Sequence, residues 1–278
     1  MPVRTAVLGM PVRHSLSPVL HRAGFAALGL TEWTYDAIEV AEADLMAFVD
    51  GLGAEWAGLS LTMPLKAAAL TAASEASPLA RLLGVANTLV LRNGRRFAEN
   101  TDAPGAVAAL YSVGCRDAQE IAILGAGGTA RAALAVASAL GARATVYARR
   151  PMAVAELLPL AAILEVPLTP AHWDDVADAV RADVVFSTVP AGAAATLGHL
   201  EPRPNSVVFD VLYDPWPTPL AAVAIKAGCR LVTGLDLLAE QAYGQFELFT
   251  GLPAPRRDMR AALDEAVAER RFARDSPL

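Results

Sequence analysis

The stretch GLSLTMPLKAAA, residues 58–69, contains Lys66, one of only two lysines in a chain that otherwise carries 21 arginines. A guanidinium stays protonated at any working pH, whereas an ammonium can release its proton and take it back. A lysine kept where arginine is the rule is a candidate general acid and base; the alternative is chance. Thr62 ends a predicted strand, Pro64 opens a predicted helix over 64–73, and Lys66 falls in its first turn. A cation there opposes the helix dipole by roughly 0.3–1 kcal/mol, so a purely structural lysine gains nothing from the position.

Other polar clusters stand near predicted strand ends. In HSLSP (14–18) the Ser15 and Ser17 hydroxyls, with the first free helix amides, are suited to a carboxylate; Ser17 also reads as a plain N-cap before Pro18. ANT (86–88) and ENTDAPG (99–105) add Asn87 and Asp102, though Asp102 or Thr101 could simply cap the helix that follows. Of four histidines (His14, His21, His172, His199), His14 adjoins the serine pair and has either a direct role or an orienting one. His21 reads as structural. No His/Cys/Asp grouping has metal-ligand spacing, so no metal is expected.

ILGAGGTARA places Gly125, Gly127 and Ala130 in a G-x-G-x-x-G/A pattern that follows a strand and opens a helix. Glycines let the backbone turn tightly and approach a pyrophosphate, whose charge then sits at the helix N-terminus. Ala126, Gly128 and Thr129 belong to the same turn. A ribose 2′-hydroxyl would call for an acid about 20 residues on. Here the second strand instead ends in Ala148, Arg149 and Arg150, which suit a 2′-phosphate and favour NADP over NAD; the alternative is two solvated loop arginines.

The elements that must position these residues alternate. Strands are predicted over 4–9, 33–40 and 56–62, and helices over 17–30, 41–52 and 64–73. A hairpin over 86–100 turns at Asn93–Gly94. After a linking helix (101–114), residues 120–150 give strand, turn, helix and strand. Segment 152–181 is expected to add a helix and a short strand. Near-continuous apolar strands follow at 182–190, 206–213 and 230–234, the pattern of a parallel sheet covered on both faces. Two helices close the chain.

Length suggests about two domains, and the 54% apolar content is ample for a core. A net charge of −6 with no basic run beyond an arginine pair argues against nucleic acid or an anionic membrane as partner. Cys115 and Cys229 are too few for a disulfide framework and fit a reducing cytosol. No leader-like start or apolar run of about 18 residues occurs. A cytoplasmic protein is expected.

In order, HSLSP, LTMPLK, ANT, NTDAPG, GAGGTARA, DVLYDPWPTPL, AEQAYGQF and TG resemble the shikimate dehydrogenase family over nearly the whole chain. The resemblance implies an α/β protein of two domains. The N-terminal substrate domain (1–102) is completed by C-terminal helices (236–278), and a doubly wound Rossmann-type NADP-binding domain (103–235) lies between, with the cleft between domains. It implies reversible NADPH-dependent reduction of 3-dehydroshikimate to shikimate, in the pathway to aromatic amino acids. Residues matching Ser15 and Ser17 hold the substrate carboxylate, helped by Tyr213. Thr62, Lys66, Asn87, Asp102 and Gln241 address the ring hydroxyls and reacting centre, with Lys66 and Asp102 as the catalytic pair. Val211 and Gly234 are counted with the cofactor-binding residues, and a monomer or homodimer is expected. Arg22 stands where asparagine is usual, ARR where NRT is frequent, and STVPAG (187–192) where NATSxG is common, which bears on the contacts of Val189. The rival expectations are an NAD-preferring quinate/shikimate dehydrogenase and a non-catalytic NADPH or shikimate sensor.

Lys66 is read as donating the proton in ketone reduction and accepting it in oxidation. Burial would lower its pKa and the Asp102 charge would raise it. A weaker role is a hydrogen bond to the developing alkoxide, with solvent supplying the proton.

Overall fold

A computed structural model describes residues 2–275, of which 274 and 275 are described in backbone only. The chain divides into two compact units. Unit 1 comprises residues 1–101 and 241–278, and unit 2 residues 102–240.

Unit 1 opens with β1 (Val3–Gly9), α1 (Ser17–Ala27), β2 (Trp33–Glu39), α2 (Leu45–Asp50), β3 (Trp56–Leu61), α3 (Ala68–Ala72), β4 (Glu75–Ala76), α4 (Pro78–Leu83), β5 (Thr88–Arg92) and β6 (Arg95–Glu99). The strands form one sheet in the order β2-β1-β3-β5-β6-β4. β1 pairs parallel with β2 and β3, whereas β5 runs antiparallel to β3 and β6. The β5–β6 hairpin turns where predicted, with Asn93 and Gly94 both at positive φ (52° and 71°). Two positive φ values make a type I′ turn, which follows the strand twist and favours Asn-Gly. One sheet face buries Leu8, Leu59, Leu61, Leu65 and Leu89 among α2 and α3. Other buried side chains include Phe25, Tyr35, Phe246 and Met259.

Unit 2 contains α5 (Asp102–Ser112), β7 (Glu120–Leu124), α6 (Gly128–Ala139), β8 (Arg143–Ala148), α7 (Pro151–Ala155), α8 (Leu158–Ile163), β9 (Leu168–His172), β10 (Val184–Ser187), α9 (Ala191–Ala194), β11 (Val207–Asp210), α10 (Pro219–Ala227) and β12 (Arg230–Thr233). Its sheet order is β12-β11-β10-β7-β8-β9, parallel throughout. This is the doubly wound dinucleotide-binding order, with the direction of winding switching between β7 and β10. β10 and β11 are buried at every residue, which explains their unbroken apolar sequence. α11 (Gly234–Thr250) leads back into unit 1, and α12 (Arg256–Asp275) packs there against α1.

Four expectations need correction. Ser17 is the first residue of α1 rather than its cap; Leu16 holds the N-cap position with no side-chain cap bond. Ser15 does that work, its Oγ accepting the Ser17 N–H at 3.2 Å, and Ser17 turns inward at 5% exposure. Lys66 lies in a turn ahead of α3, not in a helix opened by Pro64. Its carbonyl accepts from Ala86 N (2.8 Å), while Leu70 N bonds Ala67 O (3.3 Å) instead of the Lys66 carbonyl that a regular helix would offer it. Segment 152–181 contains two short helices, β9 and a 3-10 turn over Trp173–Arg181. The Pro-rich run after β11 leads into α10, which had no counterpart in the sequence reading.

Candidate active site

In unit 2, Gly125 directly follows β7 with φ +100°, and a Cβ there would stand 2.8 Å from Thr188 Oγ1. Only glycine suits that backbone and that approach. A Cβ on Gly127 or Gly128 would meet nothing within 4 Å. Gly127 caps α6 with no side chain over its first amides. The turn is thus closed on the sheet side and open on the other, as close approach of a pyrophosphate to a helix N-terminus requires.

A cleft of about 490 Å³ adjoins this turn, lined by Gly125, Ala126 and Gly127 on one side and by Arg149, Arg150 and Trp173 farther along, with Thr188, Val189 and Pro190 completing the wall. Both arginines are exposed. Gly125, Arg149, Trp173, Thr188, Val211 and Gly234 each immediately follow one of the six strands. Ligands of doubly wound sheets bind at these carboxyl ends. The donor set fits a dinucleotide with a 2′-phosphate: open amides for the pyrophosphate and two guanidinium groups beyond.

Gly128 and Thr129 form the first turn of α6, outside the cleft lining. Val211 and Gly234 lie together, since a Cβ on Gly234 would strike the Val211 carbonyl oxygen. The segment bearing Val211 and Tyr213 is held by Asp210, whose carboxylate accepts Leu212 N–H (3.2 Å) and the Thr218 hydroxyl (2.6 Å). Burial pushes the Asp210 pKa up, opposed by these two bonds. Asp102 opens α5 at 8% exposure.

In unit 1, β1 and β3 end side by side. Thr62 N–H donates to Leu8 O (2.9 Å), and a Cβ on Gly9 would strike Thr62 Cγ2. The Lys66 carbonyl bonds Ala86 N, next to Asn87. Asn87, 2% exposed, accepts Thr101 N–H at its Oδ1 (2.8 Å). Its Nδ2 donates to Thr101 Oγ1 (2.9 Å) and to Gln241 Oε1 (3.3 Å). Thr101, which precedes Asp102, is therefore pinned to the residue just ahead of β5. Unit 1 thus carries Thr62, Lys66, Asn87 and Gln241 together with the Ser15–Ser17 turn. Asp102 and Tyr213 belong to unit 2.

His14 is exposed, with its backbone carbonyl accepting from Arg270. His21 is fully buried, its ring stacked on Tyr35 at 4.1 Å. Neither ring nitrogen has a hydrogen-bond partner. Burial lowers its pKa to about 3, with nearby Gln245 opposing only in part. The folded state therefore refuses a proton that the unfolded chain accepts below about 6.5, and stability falls as pH drops from 6.5 toward 3. His21→Phe keeps the plate and removes two orphaned polar atoms. We expect it to flatten the acid limb of urea-unfolding stability by up to about 1.4 kcal/mol per pH unit. An unchanged slope between pH 7 and 4.5 would contradict burial of a neutral imidazole.

Thr188 and Pro190 flank Val189 in the STVPAG run that the sequence singles out, whereas the sequence reading did not point to Trp173 in the cleft wall; its position just after β9 was the signal available. Among the described residues, no group of three or more His, Cys, Asp or Glu could hold a metal ion, and no helix is long and apolar enough to cross a membrane.

Comparison with known proteins settles the family. Residues 7–89 match the shikimate dehydrogenase substrate binding domain, and 234–263 the shikimate 5′-dehydrogenase C-terminal domain. A shikimate dehydrogenase (NADP(+)) of Caulobacter vibrioides is 38% identical over 279 residues, covering 95% of each chain. The chain belongs to the shikimate dehydrogenase family. The crystal structure of the Mycobacterium tuberculosis shikimate dehydrogenase superposes with a TM-score of 0.85 at 44% identity, covering 95% of this chain and 100% of that one. A Thermus thermophilus shikimate 5-dehydrogenase, solved in complex with NADP(H) and shikimate, gives 0.81 at 31% identity over 95% and 99%. Shikimate dehydrogenase membership accounts for both sheets, the unit 1 polar cluster and the arginine-lined cleft within one chain.

Proposed function

We propose that this chain is an NADP-dependent shikimate dehydrogenase, reversibly reducing 3-dehydroshikimate to shikimate in the route to aromatic amino acids. The observation that carries the reading is the full-length match to shikimate dehydrogenases, including one solved with NADP(H) and shikimate.

Residues 1–102 and 236–278 are assigned to the substrate and 103–235 to the dinucleotide. When bound there, NADP(H) would supply or take up the hydride. Arg149 and Arg150 hold the 2′-phosphate, and Gly125 to Thr129 take the pyrophosphate, with Val211 and Gly234 beyond. The Ser15 and Ser17 hydroxyls bind the carboxylate with Tyr213, while Thr62, Asn87 and Gln241 address the ring oxygens.

Lys66 Nζ manages the proton. In reduction it donates to the carbonyl oxygen as C=O becomes CH–OH; in oxidation it accepts the hydroxyl proton. Asp102 orients that ammonium and accepts from a neighbouring hydroxyl. Free Cys115 and Cys229 support a cytoplasmic location, and the enzyme acts as a monomer or homodimer, which sedimentation distinguishes.

The test is absorbance at the nicotinamide band with shikimate or quinate and NADP⁺ or NAD⁺. Turnover highest with shikimate and NADP⁺ is expected. Turnover highest with NAD⁺, or with quinate, would replace the assignment, and binding without turnover would leave a sensor.

A further inference from the structure

A buried chain of hydrogen bonds crosses unit 1 behind the proposed substrate residues. Tyr35 Oη donates to Ser60 Oγ (2.6 Å), and Ser60 Oγ to Gln245 Oε1 (2.7 Å). Gln245 Nε2 donates to Asn87 O (3.0 Å) and Thr88 Oγ1 (3.1 Å), and Thr88 Oγ1 donates to Asn87 Oδ1 (3.0 Å). Tyr35 and Thr88 are 0% exposed, Gln245 1% and Ser60 3%.

The direction of every bond is forced. The Asn87 backbone carbonyl can only accept, so the Gln245 amide must turn its NH₂ toward it and its oxygen toward Ser60. Ser60 spends its one hydrogen on that oxygen and must receive from Tyr35. On the other arm, the second Nε2 hydrogen goes to Thr88, whose own hydrogen goes to Asn87 Oδ1. Asn87 Oδ1, which also accepts the Thr101 N–H (2.8 Å), thus receives two hydrogen bonds, and together they hold the carboxamide with its NH₂ toward Gln241. The bond it makes there is long, 3.3 Å, and is the one a substrate ring oxygen can take over. The far end abuts the carboxylate site, because the Ser17 hydroxyl neighbours the Tyr35 phenol.

We propose that Thr88 and Gln245 are positioning residues for shikimate: through the Tyr35–Ser60–Gln245–Thr88 chain they fix the Asn87 carboxamide with its donor facing the substrate. The inference rests on the substrate-site reading of Asn87.

Thr88→Val is nearly isosteric and removes the hydroxyl, and Thr88→Ser restores it. At saturating NADP⁺, Thr88→Val should raise KM for shikimate about tenfold, in line with leaving a buried Gln245 N–H without its acceptor and Asn87 Oδ1 one bond short. KM for NADP⁺ should stay within about twofold of wild type, and Thr88→Ser should recover the shikimate KM. Should Thr88→Val fail to fold, Gln245→Met breaks the same arm and carries the same expectation. Wild-type KM for shikimate in a folded Thr88→Val enzyme, or a Thr88→Ser enzyme as impaired as the valine, overturns the relay. Asn87→Ala, run in parallel, separates the two failures. A raised KM there with none in Thr88→Val overturns the relay alone, and wild-type KM in both overturns it together with the substrate-site reading.

Discussion

Lys66→Ala is expected to lower kcat about 10³-fold in both directions, the middle of the range for a lost general acid or base. KM for shikimate should change far less, because the proton matters only as the C–O bond order changes. Lys66→Arg separates the two roles open to the residue. If Lys66 only donates a hydrogen bond to the developing alkoxide, a guanidinium keeps much of the activity. If it transfers the proton, arginine is nearly as poor as alanine, since it cannot deprotonate. We expect the second result. Small primary amines should partly restore Lys66→Ala. Near-normal turnover and an unchanged pH profile in Lys66→Arg would exclude proton transfer by this side chain.

The second large effect concerns cofactor choice. Arg149 and Arg150 stand where an acid would serve a free ribose hydroxyl, and both line the cleft beyond the glycine turn. Losing charge-assisted bonds worth about 1.5–3 kcal/mol between the two exposed arginines, Arg149→Ala/Arg150→Ala should raise KM for NADP⁺ by about 10–100-fold. KM for NAD⁺ should move by no more than about twofold. Equilibrium binding of 2′,5′-ADP supplies a readout independent of turnover and should weaken in parallel. An unaltered preference between the two cofactors would return both arginines to the role of solvated loop residues.

What the sequence made legible was local. The dinucleotide unit announced itself because Gly125 needs a positive φ and a bare Cα beside Thr188, and few sequences satisfy that between a strand and a helix. The 88–99 hairpin was readable for the same reason, its turn demanding Asn93 and Gly94. The errors came where tertiary contacts override local preference. Ser17 before Pro18 looks like a cap, yet Ser15 supplies the first hydrogen bond and frees Ser17 to face inward. Pro64 looks like a helix start, yet the Lys66 carbonyl is claimed by Ala86. Proline-rich spacing hid α10 behind DPWPTP. The relay beneath Asn87 was invisible because Ser60 and Gln245 are 185 positions apart, and residue types alone do not reveal such pairings.

We propose that the amine of Lys66 and the carboxylate of Asp102 serve one and the same catalytic step. A double-mutant cycle on kcat tests it directly, using Lys66→Ala, Asp102→Asn and the double variant, with folding verified for each. Groups that serve a single step lose their effect together. The double variant is predicted to be no slower than the worse single variant, within about threefold. Losses that multiply, so that the double variant falls by the product of the two single effects, would show two independent contributions and contradict the pairing.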